Sequence, residues 1–103
     1  MSNIEEYTEK TFESIKHIDE YGNEFWEARE LMPLLEYSKW ENFHKVIKRA
    51  MIACETSNNK VSDHFPEFRK MVDIGSKTKR ETIDYRLSRY ACYLIVQNAN
   101  PRK

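Results

Sequence analysis

Between Thr82 and Asn98 the spacing of apolar residues changes period once, and abruptly. Ile83, Tyr85 and Leu87 alternate with Thr82, Asp84 and Arg86, which is the two-residue repeat of a half-buried strand over about 81–87. From Tyr90 to Val96 the chain reads Tyr-Ala-Cys-Tyr-Leu-Ile-Val, apolar almost all round, which predicts a buried helix over about 89–98. Ser88 stands at the junction, where a hydroxyl can satisfy the orphan amides of a first helical turn. Pro101 bars the helix from continuing. Any fold for these 103 residues has to seat both periods against one modest core, because a chain this size buries only roughly 60–70% of its unfolded surface.

The rest of the chain reads as short elements around a second strong helix. Residues 1–13 are polar with the apolar anchors Ile4, Tyr7 and Phe12, a loose or partly helical lead-in. Tyr21-Gly22-Asn23, with Ile15 and Ile18 before it and Phe25 and Trp26 after it, predicts a small β-hairpin with Gly22 at positive φ. Ala28, Leu31, Leu34 and Leu35 have helical spacing over about 27–35, although Pro33 is comfortable only in a first turn and predicts a kink or a later start. Ser38 and Glu41 match a capping box. Behind them Trp40, Phe43, Ile47, Ala50, Met51 and Cys54 form one apolar stripe through about residue 56, the helix most clearly marked in the chain. Residues 57–60 are a loop, and 63–68, with Pro66 inside, a turn or short helix. Segments at about 70–75 and 81–87 form a second hairpin, whose tip is the long polar connector Gly75-Ser76-Lys77-Thr78-Lys79-Arg80.

Several function classes lack the residues they need. No apolar run approaches the roughly 18–20 residues of a membrane span, and the acidic start is unlike a signal peptide, so a soluble cytoplasmic protein is expected. Cys54 and Cys92 are too few for a disulfide framework and read as reduced, packed thiols. His17, His44 and His64 pair with no second His or Cys at a zinc-ligand spacing. None of the phosphate-cradle, nucleophile-elbow or zinc-protease motifs occurs. Neither an enzyme, a cofactor nor a metal is expected. The aromatic residues (13% of the chain) include Trp26, Trp40, Phe43, Tyr85, Tyr90 and Tyr93 at core-facing positions, where packing accounts for them.

Charge is the informative feature. The formal net charge is zero, yet residues 1–36 hold ten acids against three bases, and residues 37–103 hold seven acids against fourteen bases. Such a split marks either an anionic partner for the basic half or two faces of one domain that neutralise each other. On the helix from Trp40, Lys45, Lys48 and Arg49 flank the apolar stripe; Lys77, Lys79 and Arg80 cluster at the hairpin tip; Arg86 points away from the Ile83, Tyr85 and Leu87 face. Each group is either an ordinary solvated surface or a set of phosphate contacts. Arg89 extends the same surface or pairs with an acid of the N-terminal half.

Phe25-Trp26-Glu27-Ala28-Arg29-Glu30-Leu31-Met32-Pro33-Leu34-Leu35-Glu36-Tyr37-Ser38 resembles the signature of the DNA damage-inducible protein D family, as do Asp63-His64-Phe65 and the run from Asp84 to Asn98. The resemblance covers roughly residues 14–101. That family is grouped with Bro-N domains of viral and phage antirepressor-like proteins, which implies an α+β fold, a DNA-binding role and membership of a bacterial DNA-damage (SOS) response, and it supplies no catalytic residues. Pro33 and Glu36 stand where many related domains carry a helix-friendly residue and Gly, so a tight helix–turn–helix is not implied. Proteins of the family continue well past this length, and Arg102-Lys103 directly after a buried helix reads as a cut end.

The expected architecture is a single small α+β domain over residues 14–103: a short N-terminal β-hairpin, a helical pair, and a second β-hairpin followed by a buried final helix. The expected function is non-catalytic DNA binding, of unspecified strand state, through Lys45, Lys48, Arg49, Lys77, Lys79, Arg80 and Arg86. The alternative is a protein-interaction module, docking on a repair or recombination protein or on a second copy of itself, in which Glu5, Glu6, Glu9, Glu13, Glu20 and Glu24 matter as much as the bases.

Overall fold

The computed structural model describes residues 11–99, so most of the expected lead-in, Glu5, Glu6 and Glu9, and the end after Ala99 lie outside the described residues. Residues 11–14 are helical. Then come β1 (His17–Ile18), β2 (Glu24–Glu27), α1 (Ala28–Leu34), α2 (Trp40–Thr56), α3 (Val61–His64), β3 (Glu67–Gly75), β4 (Thr78–Leu87) and α4 (Arg89–Asn98). The strands form one antiparallel sheet in the order β1-β2-β4-β3. This is the expected α+β architecture.

The first hairpin closes on Asp19. Its Oδ1 accepts from the amides of Tyr21 and Asn23, both at 2.9 Å, and Gly22 takes φ 86°, the left-handed conformation that a residue without Cβ adopts at little cost. β2 runs straight into α1, which starts on time at Ala28 and ends one residue after Pro33, so the proline neither delays nor splits it. α1 closes in a Schellman motif: the Glu36 amide donates to Pro33 and the Tyr37 amide to Met32. Glu36 therefore takes φ 65°, the conformation that glycine would supply more cheaply. α2 ends the same way with Asn58, φ 65°, and Asn59 donating to Cys54.

Two expectations are corrected here. Ser38 does not cap α2; the cap is Lys39, extended, with no side-chain hydrogen bond. Trp40 is the first helical residue, pinned by the Arg29 guanidinium 4.0 Å from its ring, which moves the serine out of capping register. The connector after Gly75 is not a long tip. Thr78, Lys79, Arg80 and Glu81 pair with Gly75, Asp73, Val72 and Met71, leaving a two-residue turn, Ser76 and Lys77, with Lys77 at φ 65°. Ladder hydrogen bonds need no apolar pattern, so this strand was polar enough to read as loop.

The core gathers Trp26, Leu31, Phe43, Ile47, Leu87, Cys92 and Ile95, all essentially inaccessible. Phe12 stacks on Trp26 with ring centroids 4.4 Å apart, and the Trp26 indole donates to the Phe12 carbonyl. Ser88 caps α4 as the sequence predicts, accepting from the Ala91 amide at 3.0 Å. α2 and α4 lie antiparallel, with Asn59 donating to the Tyr90 hydroxyl at one end and Arg49 to the Asn98 carbonyl at the other. α4 is buried on its inner face only: Tyr93 and Val96 are about half exposed. Both cysteines are free and buried, and burial pushes the Cys92 thiol up to about 12, which leaves almost no thiolate at neutral pH. Among the described residues no helix is long and apolar enough to cross a membrane.

Candidate functional site

β3 and β4 extend beyond the core as an arm whose outer half, from Asp73 to Glu81, is exposed on every residue. Successive side chains of a strand point to opposite faces. Arg80 accordingly shares a face with Thr82, Asp84 and Arg86, while Lys79 shares the other with Glu81 and Ile83. Lys79 stands opposite Asp73 in register, and Lys77 occupies the turn. The arm is thus mixed in sign but cationic at its end.

The seven expected basic residues fall into three groups. Lys45, Lys48 and Arg49 share the exposed side of α2, and Arg49 reaches across to the last turn of α4. Lys77, Lys79 and Arg80 stay together at the arm's end. Arg86 is apart from both: its guanidinium lies over the rings of Phe25 and Phe68, at 5.1 and 4.8 Å. Among the described residues none of the seven forms an ion pair with a carboxylate.

Among the described acids of the N-terminal half, Glu13 and Glu24 are paired with cations of the same domain. Arg89 grips Glu24 with two bonds, Nε to Oε2 at 2.8 Å and Nη2 to Oε1 at 2.9 Å, and reaches Glu13 at 3.1 Å. Lys16 lies 3.3 Å from Glu13 and 3.8 Å from Glu24. The Arg89 hydrogen bonds hold the Glu24 carboxyl below its ordinary range and raise Arg89 itself. So Arg89 takes the pairing role, and part of the charge split is neutralised within the domain.

Asp84 carries a role that the sequence did not reveal. Its carboxylate is fully buried. Oδ1 accepts from the amides of Arg29 and Tyr85, and Oδ2 meets the Lys70 ammonium at 2.9 Å. Lys70 also donates to Glu27 at 2.8 Å. Burial disfavours its charge, but the bonds and charges of Glu27 and Asp84 outweigh that, and its pKa ends above the ordinary value. Alternation alone put Asp84 on the polar side of β4, so nothing in its spacing marked it as buried.

His17, Glu27 and Glu30 bring one possible ligand atom each to within 4.8 Å of one another. His17 already bonds Glu30 at 2.7 Å, and the Lys70 ammonium lies 2.8 Å from Glu27. His44, on α2, stacks on Trp40 and shares a hydrogen bond with the Tyr85 hydroxyl at 2.9 Å. Its burial, then the nearby Lys48 charge, keep its pKa below the ordinary histidine value.

A cleft of about 330 Å³ runs from the root of the arm into its outer half, lined by Arg29, Trp40, Val72, Ile74, Arg80, Thr82 and Ile83. Arg29 is the surprise among these. Periodicity gives it no signal, and Trp40 read simply as core, yet the two are stacked together at the cleft wall.

The profile of the BRO family, N-terminal domain, matches residues 14–103. The chain is 52% identical over 92 residues to DNA damage-inducible protein D of Escherichia coli (strain K12), an alignment covering 89% of this chain and 34% of that protein. It therefore spans about a third of the length of that relative. No solved structure matches it.

Proposed function

The chain belongs to the BRO family through its N-terminal domain, and from that premise we propose that it is a non-catalytic DNA-binding module of a bacterial DNA-damage-response protein acting in the cytoplasm. The observation that carries this reading is the arm: Lys77, Lys79 and Arg80 are exposed in its outer half, unpaired by carboxylates among the described residues, and held clear of the core by a strand ladder with one register shift, between Asp73 and Gly75. Arginine and lysine presented this way are the side chains that neutralise phosphates. The damage-inducible relative supports the cellular setting by its name. Lys45, Lys48 and Arg49 on α2 form a second cationic group, and Arg86 a minor third.

Binding carried by phosphates weakens with salt, log K falling by about 0.9 per phosphate neutralised. Fluorescence anisotropy of labelled DNA across a salt series measures that slope. Lys77→Ala, Lys79→Ala and Arg80→Ala together are expected to reduce it by up to about three units. An unchanged affinity and slope in that variant removes the arm from the interface, and absence of binding at low salt sinks the reading.

A protein partner, either a repair or recombination protein or a second copy of this chain, is the second reading. Ile52, Tyr93 and Val96 favour it, since each is about half exposed or more on α2 and α4, and scattered singles of this kind are otherwise ordinary. A sizing run with and without DNA separates the two.

A further inference from the structure

We propose that the cleft along the β3–β4 arm holds one unstacked nucleotide of single-stranded DNA, its phosphate between Arg29 and Arg80 and its base or sugar against Val72 and Ile74. The inference rests on the DNA-binding reading above and says which strand state that reading favours.

Arg29 is built for the task. Its Nε donates to the Ile83 carbonyl at 2.9 Å, its Nη2 to the Thr82 hydroxyl at 2.7 Å, and its plane is backed by the Trp40 ring at 4.0 Å. The backbone amide of the same residue is tied to Asp84. One nitrogen, Nη1, has no partner among the described residues. A guanidinium fixed in this way loses little rotamer freedom on binding an anion, and its planar fork suits a phosphate.

Arg80 lines the same cleft from β4 and has no ion pair among the described residues, so two cations converge where no carboxylate lines the wall. The remaining wall is apolar. Ile74 is 54% exposed, a large aliphatic side chain on an arm with no core beneath it, which is the surface a base or deoxyribose would cover. The volume lies at the lower end of small-molecule sites, room for one nucleotide. Bases in a duplex are stacked and paired, whereas a single strand can turn one out at no unpairing cost.

The test uses the whole chain, a fluorescein-labelled oligothymidylate and a duplex of equal length. Tryptophan emission gives a second readout, because Trp26 is fully buried and Trp40 edges the cleft. The expected result is saturable quenching by the single strand, affinity at least about fivefold above that for the duplex, and loss of quenching in Trp40→Phe. Ile74→Ser, which changes no charge and disturbs no core, is expected to weaken single-strand binding about fivefold and leave duplex binding as it was. Arg80→Gln is expected to weaken single-strand binding about tenfold and duplex binding far less. Equal affinities for the two forms, lowered alike by Arg80→Gln and untouched by Ile74→Ser, overturn the cleft while leaving the DNA-binding reading intact. Failure of both forms to bind overturns the reading itself.

Discussion

Asp84 Oδ1 accepts a hydrogen bond from the Arg29 amide at 3.1 Å, across 55 positions of sequence, and this contact joins the root of the arm to the first turn of α1. The same carboxylate holds the Lys70 ammonium. Removing it leaves two amides without their acceptor and a half-covered lysine with only Glu27 beside it.

Asp84→Ala is therefore expected to lower unfolding free energy by about 2–4 kcal/mol, below the full cost of orphaning a buried charge because Lys70 keeps 27% of its side-chain exposure. Urea denaturation measures it. Pairing the change with Lys70→Met removes the stranded charge, so the double variant should recover part of the loss. A double variant that loses the sum of both single effects would show that the ion pair is not what makes Asp84 matter.

Glu36→Gly is expected to stabilise the chain by about 0.5–1 kcal/mol. Glu36 takes φ 65° in the Schellman motif closing α1, and the left-handed conformation costs an L-residue roughly 1–2 kcal/mol that glycine avoids, part of which returns as unfolded-chain entropy. For a domain of this size that is a rise of a few degrees in Tm, read by thermal melting. A fall in Tm would mean that the Glu36 side chain makes a contribution the turn geometry does not reveal.

Acid weakens this fold first through His44. Its pKa is lowered by burial and then by the Lys48 charge, with Glu67 opposing. As pH falls through about 6.5, the ordinary histidine value, the unfolded chain takes up a proton that the folded chain resists, so stability declines until the pH has passed the lowered folded value. Glu24, whose carboxyl is held low by Arg89, acts in the same direction in a separate window below the ordinary glutamate value of 4.5. Melting temperatures between pH 7.5 and 5.5 should fall in the native chain and fall less in His44→Gln. Parallel curves for the two would assign that window to another group.

The two long helices were legible nearly to the residue, because Phe43, Ile47, Ala50 and Cys54, and Ala91, Cys92, Leu94 and Ile95, repeat at helical spacing and are buried for that reason. The arm was half legible. Beyond Ile83 no core lies under it, and strand pairing there is decided by the facing strand, about which a run such as Thr78-Lys79-Arg80-Glu81 says nothing. Lys77 was invisible as a left-handed residue since the usual sign of that conformation is glycine, and Glu36 was signalled only by the glycine that related domains carry at its position. Arg29 and Asp84 were missed for one shared reason: each belongs to a polar position by periodicity, and only the packing of α1 over β4 turns those positions inward.

Arg86 belongs to the expected basic set, and its surroundings separate it from the rest. Its guanidinium is sandwiched near Phe25 and Phe68, bridging β2 and β3 across β4. Each such contact contributes on the order of 0.5–1 kcal/mol at a partly exposed site, and Arg86 is itself exposed. Arg86→Ala is expected to destabilise the fold by about 1 kcal/mol, measured by urea denaturation, and to change the salt slope of DNA binding by one unit at most. Arg86→Lys keeps the charge and gives up the flat face that rests on the rings, so it should lose most of the same stability while preserving the slope. If Arg86→Ala instead leaves stability unchanged and cuts DNA affinity as deeply as the loss of Lys77, Lys79 and Arg80 together, the rings serve to aim a phosphate contact rather than to brace the sheet.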